Sequence, residues 1–133
     1  MLLILDASVA IKWFVTEDGC DKAMEILEDL LRNPSNFAVP ELFYFELANI
    51  FNRLIINPSS GQIELANLVC TFGINRFYMT PELFREIKEF QKLGLSGYDG
   101  AYVALAKLLK GTWITFDAKA HAKIAHLKLS QVL

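Results

Sequence analysis

What the chain lacks narrows its possibilities first. Its 133 residues hold two cysteines, Cys20 and Cys70, far apart and in no Cys-x-x-Cys or Cys/His pattern. That excludes a disulfide scaffold and a zinc site and predicts two reduced, partly buried thiols. No apolar run approaches the roughly 18 residues that a membrane span requires. The longest, Phe43 to Phe51, is interrupted by Glu46 and Asn49. The start, Met1-Leu2-Leu3-Ile4-Leu5-Asp6, has neither the basic opening nor the cleavage site of a secretory signal, so the expected location is the cytoplasm. There is no GxxxxGK[ST] phosphate loop, no GxGxxG fingerprint and no Gly-x-Ser-x-Gly elbow. Excess charge of one sign is missing as well. Thirteen basic residues stand against 15 acidic ones, for a net charge of −2, which does not announce a nucleic-acid binder. If four acids surround a cation, the remainder is 13 against 11, a balance of +2 that can face phosphates.

What is present is core material. Hydrophobic residues make up 53% of the chain and charged residues 21%, which excludes intrinsic disorder. The length predicts a single domain over residues 1–133. Leu2 to Leu5 is a continuous apolar run, the mark of a strand buried on both faces. Asp6 ends it, and Ala7 to Phe14 reads as a short helix. Further helices are expected over about Asp21–Arg32, Pro40–Leu54, Gln62–Gly73, Pro81 to near Gly94, Tyr98–Leu109 and Ala118–Leu127. Strands are expected at Phe37–Val39, Phe77–Met79 and Thr112–Phe116, with an edge strand at Ser130–Leu133. Strands alternating with helices and no hairpin signal predict an α/β fold, three layers α/β/α with a central, mostly parallel sheet. In such sheets the working site lies beyond the carboxyl ends of the strands.

Three aspartates fall at that edge. Asp6 follows the first strand, Asp117 follows the strand ending at Phe116, and Asp99 occupies the first turn of its helix, three residues after Ser96. Each has an ordinary role open to it as a helix cap, and Ser96 to Asp99 fits a capping box. Glu46 is harder to place as an ordinary residue. Leu42, Phe43, Asn49 and Ile50 share its helical face, and an unpaired carboxylate in an apolar stripe is costly. The alternative is that this stripe is the rim of the core and Glu46 reaches solvent. Together the four acids make an oxygen-rich pocket whose joint ionisation is opposed by repulsion, and a hard cation such as Mg²⁺ or Mn²⁺ resolves that conflict. Ser8 and Thr115 add hydroxyls near the same edge, Thr115 on the same strand face as Asp117. Lys12, Lys119 and Lys123 are close enough in sequence to hold phosphates or to be ordinary solvated helix positions. His121 reads as a solvated helix position with a possible substrate contact, and His126 likewise.

In this order the residues resemble the PIN-domain ribonucleases, and among them the VapC-type toxins of toxin–antitoxin pairs. Four stretches carry the likeness: Leu5 to Phe14, Pro40 to Asn49, Leu95 to Ala106, and Ile114 to Asp117. The resemblance implies that Asp6, Glu46, Asp99 and Asp117 are metal ligands and catalytic residues of an endoribonuclease using Mg²⁺ or Mn²⁺. Ser8, Thr115, Ser96 and Asn49 would orient ligands or water around them, and RNA would be the substrate. It implies an antitoxin partner and a homodimer, with the apolar segments Leu42–Ile56 and Ile63–Phe77 as candidate contact surfaces. One departure stands out: Asp117 is followed by Ala118-Lys119-Ala120-His121, whereas some members carry a further acid or amide there, which weakens the case for a second metal. A phosphoacceptor receiver domain fits poorly, because the middle strands end without an aspartate. The remaining alternative is a catalytically silent PIN-like module that binds RNA or protein.

Overall fold

The computed structural model describes all residues, Met1–Leu133. Five strands, β1 (Leu3–Leu5), β2 (Phe37–Pro40), β3 (Asn75–Phe77), β4 (Thr112–Thr115) and β5 (Ser130–Val132), form one sheet in the order β3-β2-β1-β4-β5. Every pairing is parallel, with Ile4 opposite Ala38 on one side and Trp113 on the other. The α/β architecture is therefore as the sequence predicts, with helices flanking the sheet. They are α1 (Ala7–Ala10), α2 (Cys20–Arg32), α3 (Leu42–Leu54), α4 (Ser60–Thr71), α5 (Pro81–Gln91), α6 (Gly97–Leu109) and α7 (Ala118–Ile124).

Burial explains which strands were easy to read. All four residues of β2 are buried, as are Ile4 and Leu5 in β1 and Trp113, Ile114 and Thr115 in β4. A strand buried on both faces needs an unbroken apolar run. The edge strand β3 has no such need, and it lies two residues before the apolar Phe77-Tyr78-Met79 expected to form it. Arg76 fixes it there: its guanidinium binds Glu41 at 2.6 and 3.1 Å and lies 3.9 Å from the Tyr44 ring centroid. A charged side chain of this kind also blunts an open sheet edge.

Pro40 is a second correction. It ends β2 rather than opening α3, which begins at Leu42. The Glu41 amide donates to the Phe77 carbonyl at 2.9 Å, so in a parallel ladder the Pro40 nitrogen faces β1. The β1–β2 ladder has ended at Ile4 and Ala38, and the missing N–H interrupts nothing. The first helix is also shorter than expected, passing into a 3-10 turn over Ile11–Trp13. Of the two thiols, Cys20 is partly buried as expected, whereas Cys70 is exposed on α4.

The helix that matters most for the site is α6. Residues Gly100 to Ala106 are all buried, and it crosses β2, β1 and β4 while packing α5 on its outer side. Gly111 lets the chain turn back tightly beneath β1, since a Cβ there would stand 2.6 Å from the Leu2 carbonyl oxygen. The core is one contiguous cluster of 32 buried residues.

Candidate active site

The carboxyl edge of the sheet is built from caps. Asp6 leaves β1 in extended conformation and caps α1, its Oδ2 accepting from the Ser8 amide at 2.9 Å. Asp117 leaves β4 and caps α7, its Oδ1 accepting from the Ala120 amide at 2.9 Å. Ser96 caps α6 by accepting from the Asp99 amide at 3.0 Å, which holds Asp99 in the first turn. The ordinary role weighed for Asp6 and Asp117 is therefore filled, and these are also the positions that bring them to one edge.

Ser8 and Thr115 tie the two strand ends together. Their hydroxyls lie 3.3 Å apart, Ser8 Oγ accepts from the Phe116 amide at 3.1 Å, and Thr115 Oγ1 accepts from the Asp117 amide at 3.0 Å. They hold backbone in this way, and both side chains also favour the charged form of the Asp6 carboxylate by hydrogen bonding.

Two aromatic residues that sequence reasoning passed over hold the inner acids. Trp113 Nε1 donates to Asp6 Oδ1 at 3.1 Å, and the Tyr102 hydroxyl donates to Glu46 Oε1 at 2.6 Å. The signal was available in spacing. Tyr102 is one helical turn after Asp99, and Trp113 shares a strand face with Thr115. Glu46, half-buried on α3, is thus neither unpaired in the core nor free at its rim.

Electrostatics link the acids. Asp6 is only 8% exposed, and burial raises its pKa against the opposing hydrogen bonds of Ser8, Trp113 and Thr115. Burial also raises Glu46, with Asp6 and Asp99 adding repulsion. Asp99 is raised by burial and by the charges of Asp6 and Asp117, against the Ser96 hydrogen bond and Lys123. Burial drives the Tyr102 hydroxyl well above its ordinary value, so it stays protonated and donates.

No three acidic, histidine or cysteine side chains stand in a ready-made ligand set. The donor chemistry nevertheless fits a hard divalent cation. All the groups are oxygens, and no ion pair in the molecule uses Asp6, Glu46, Asp99 or Asp117, although Lys123 acts on Asp99 from farther off.

The remaining residues stand farther out. Asn49 is exposed and shares with Glu46, Phe45 and Tyr98 the wall of a cavity of about 270 Å³. Lys12 is engaged elsewhere, donating to Glu17 at 2.9 Å and to the Asp18 carbonyl at 2.6 Å, with its ammonium 4.5 Å from the Phe116 ring centroid. Lys119 is exposed, and Lys123 reaches the Gly94 carbonyl at 2.9 Å. His121 is not a freely solvated position, because Nδ1 lies 2.7 Å from Ser130 Oγ on β5. A larger cavity, about 630 Å³, lies beside the acids between α3, α5 and α6. Its lining is mostly apolar, including Phe77, Met79 and Phe84, and contains none of the four.

An α/β sheet with acids gathered at its carboxyl edge is the frame against which the comparison with known families is decisive: the PIN domain matches residues 3–127. The chain belongs to the PIN-domain family. Among solved structures, this PIN domain resembles a toxin–antitoxin complex from Klebsiella pneumoniae at 17% identity, with 90% of each chain covered and a TM-score of 0.68. It resembles FitAB bound to an IR36 DNA fragment at 14% identity, covering 93% of this chain and 91% of that one, with a TM-score of 0.68. It also resembles the sarcin–ricin-loop-cleaving VapC toxin of Mycobacterium tuberculosis at 15% identity, covering 90% and 93%, with a TM-score of 0.65. At such identities the likeness shows the fold. Among curated protein sequences none matches significantly. No helix of this PIN domain is long and apolar enough to cross a membrane.

Proposed function

We propose that this PIN domain is a metal-dependent endoribonuclease, the toxin of a VapBC-type toxin–antitoxin pair. One observation carries the reading: Asp6, Glu46 and Asp99 come from three separate elements, are buried or half-buried, have Ser8, Trp113, Tyr102 and Ser96 as hydrogen-bond neighbours and no ion-pair partner, and burial raises the pKa of each. A fold gains nothing from such a cost unless a cation or substrate lifts it. Asp6, Glu46 and Asp99 would hold Mg²⁺ or Mn²⁺, with Asp117 completing the set. Such a cation supplies charge neutralisation at a scissile phosphate and a more acidic water. The protein's own part is to orient the carboxylates. Asp6 is fixed through the Ser8 amide and Trp113, Glu46 through Tyr102, and the Asp117 backbone through Thr115. Lys119 and Lys123, on α7 beside Asp117, would attract the RNA backbone. Lys12 contributes less to that surface because its ammonium is already satisfied.

The toxin reading draws support from relatives solved as toxin–antitoxin complexes, which make an antitoxin the expected protein partner. A homodimer is part of the same reading. Phe45, Leu54, Ile56, Ile63 and Leu68, in the segments named above, remain largely exposed, and a two-fold contact would cover such a surface. Light scattering showing only the 15.0 kDa mass of one chain at micromolar concentration would end the dimer claim.

The test of function is RNA cleavage with Mn²⁺ or Mg²⁺ by purified protein, beside Asp6→Asn and Asp99→Asn prepared identically. Cleavage that chelator abolishes and both variants lack supports the reading. Equal cleavage by wild type and variants would assign the activity to a contaminant.

A further inference from the structure

We propose that Tyr102 and Trp113 are positioning residues that act together as an aromatic clamp, setting the separation and orientation of Glu46 and Asp6 for a divalent cation. The inference rests on the metal-dependent reading above and adds residues to it.

Both rings are fully buried, and they stack with centroids 5.9 Å apart and an interplanar angle of 11°. Each ring has a single polar atom. Each sends it to a different acid on a different element: from α6 to Glu46 on α3, and from β4 to Asp6 at the end of β1. The stack is therefore a rigid spacer with a hydrogen-bond donor at either side. Glu46 needs it most, because a half-exposed glutamate on a helix can otherwise turn toward water and away from the repelling charges of Asp6 and Asp99. The choice of donors matters as much as their placement. A lysine or arginine would orient these acids equally well and would cancel the charge that attracts a cation. A phenol and an indole N–H orient without cancelling. Each also occupies only part of a carboxylate's acceptor capacity, about four lone-pair sites, and leaves the rest free. Asp6 has one oxygen on Trp113 and the other on the Ser8 amide, so its plane is fixed at both ends.

Outer groups that orient metal ligands are worth about 10–100-fold in affinity when removed. The experiment is a Mn²⁺ titration followed by the electron paramagnetic resonance of free Mn²⁺, without RNA, on wild type, Tyr102→Phe, Trp113→Phe and Tyr44→Phe. Tyr44 is the control: its hydroxyl is buried without a hydrogen-bond partner, so it binds none of the four acids. The clamp predicts that Tyr102→Phe and Trp113→Phe weaken Mn²⁺ binding by about 10–100-fold, while Tyr44→Phe binds as wild type does. Melting of the metal-free proteins is recorded in parallel, because a purely structural role lowers the melting temperature and leaves affinity unchanged. Should Trp113→Phe fail to fold, Tyr102→Phe decides alone, since it removes one oxygen and keeps the ring. Wild-type affinity in Tyr102→Phe overturns the clamp and leaves the metal reading standing. No Mn²⁺ binding by wild type at millimolar metal overturns both.

Discussion

The corner where β1 meets α1 and the corner where β4 meets α7 are built alike. Each has a parallel strand ending in an aspartate that caps the next helix, by accepting from Ser8 in one case and Ala120 in the other. The difference is depth. Asp117 is exposed and its carboxylate hydrogen-bonds only its own helix, whereas Asp6 is buried and also bound by Trp113. Capping is enough to explain the place of Asp117 in the fold. It does not account for Asp6, since a cap works as well in water and gains nothing from desolvation. The same local motif thus serves stability at one strand end and leaves a cost at the other that the proposed cation would lift.

Activity should separate the two corners most. Asp6→Asn is expected to lower metal-dependent RNA cleavage by more than about 100-fold, since it alters a ligand where outer groups alone are worth 10–100-fold. Asp117→Asn should cost about tenfold on the same scale. Equal losses at a fixed RNA and Mn²⁺ concentration would erase the distinction. Next in size is stabilisation by metal. Binding only the folded state, Mn²⁺ at a hundredfold excess over its Kd should add about 2.7 kcal/mol. Differential scanning calorimetry should find this gain in wild type, find it reduced in Asp117→Asn, and find none in Asp6→Asn. Third, Asp117→Ala should destabilise the metal-free protein by about 1 kcal/mol in denaturant melts, through the lost cap of α7.

The smallest effect tests the cost itself. Asp99 has a raised pKa in the fold, so its contribution to stability is fully present below its ordinary value of 3.8 and is lost as pH rises through the higher folded value. Asp99→Asn cannot ionise and escapes that loss. The metal-free variant should match wild type near pH 3 and exceed it at neutral pH by about 0.5 kcal/mol, an amount kept small by solvent screening. Wild type more stable than the variant at neutral pH would show that the Asp99 carboxylate is a structural asset.

Legibility in the sequence followed the same division between local and tertiary causes. The buried strands β1, β2 and β4 and the caps at Thr80 and Ser96 announce themselves because their reasons are local: unbroken apolar runs in β1 and β2, Trp113-Ile114 between β-branched threonines in β4, and a hydroxyl three residues before the amide it accepts from. The edge strand β3 did not, because Arg76 and Glu41 hold it from 35 residues apart. Likewise Asp6, Asp99 and Asp117 are readable as strand-end and first-turn acids. Tyr102 and Trp113 look like ordinary core, and their polar tips find Glu46 and Asp6 only once α6, α3, β4 and β1 are packed. Lys12 shows the converse, with a position that suggests phosphate binding and a side chain already taken by Glu17 and Asp18.

The central claim is that the buried acids at the carboxyl edge form a cation site. Its most direct test is an anomalous difference map from crystals equilibrated with millimolar Mn²⁺. The account predicts a peak bounded by the carboxylates of Asp6, Glu46 and Asp99, with Tyr102 and Trp113 still hydrogen-bonded behind them. A map with no peak at these carboxylates, or with Mn²⁺ bound only elsewhere, would contradict it.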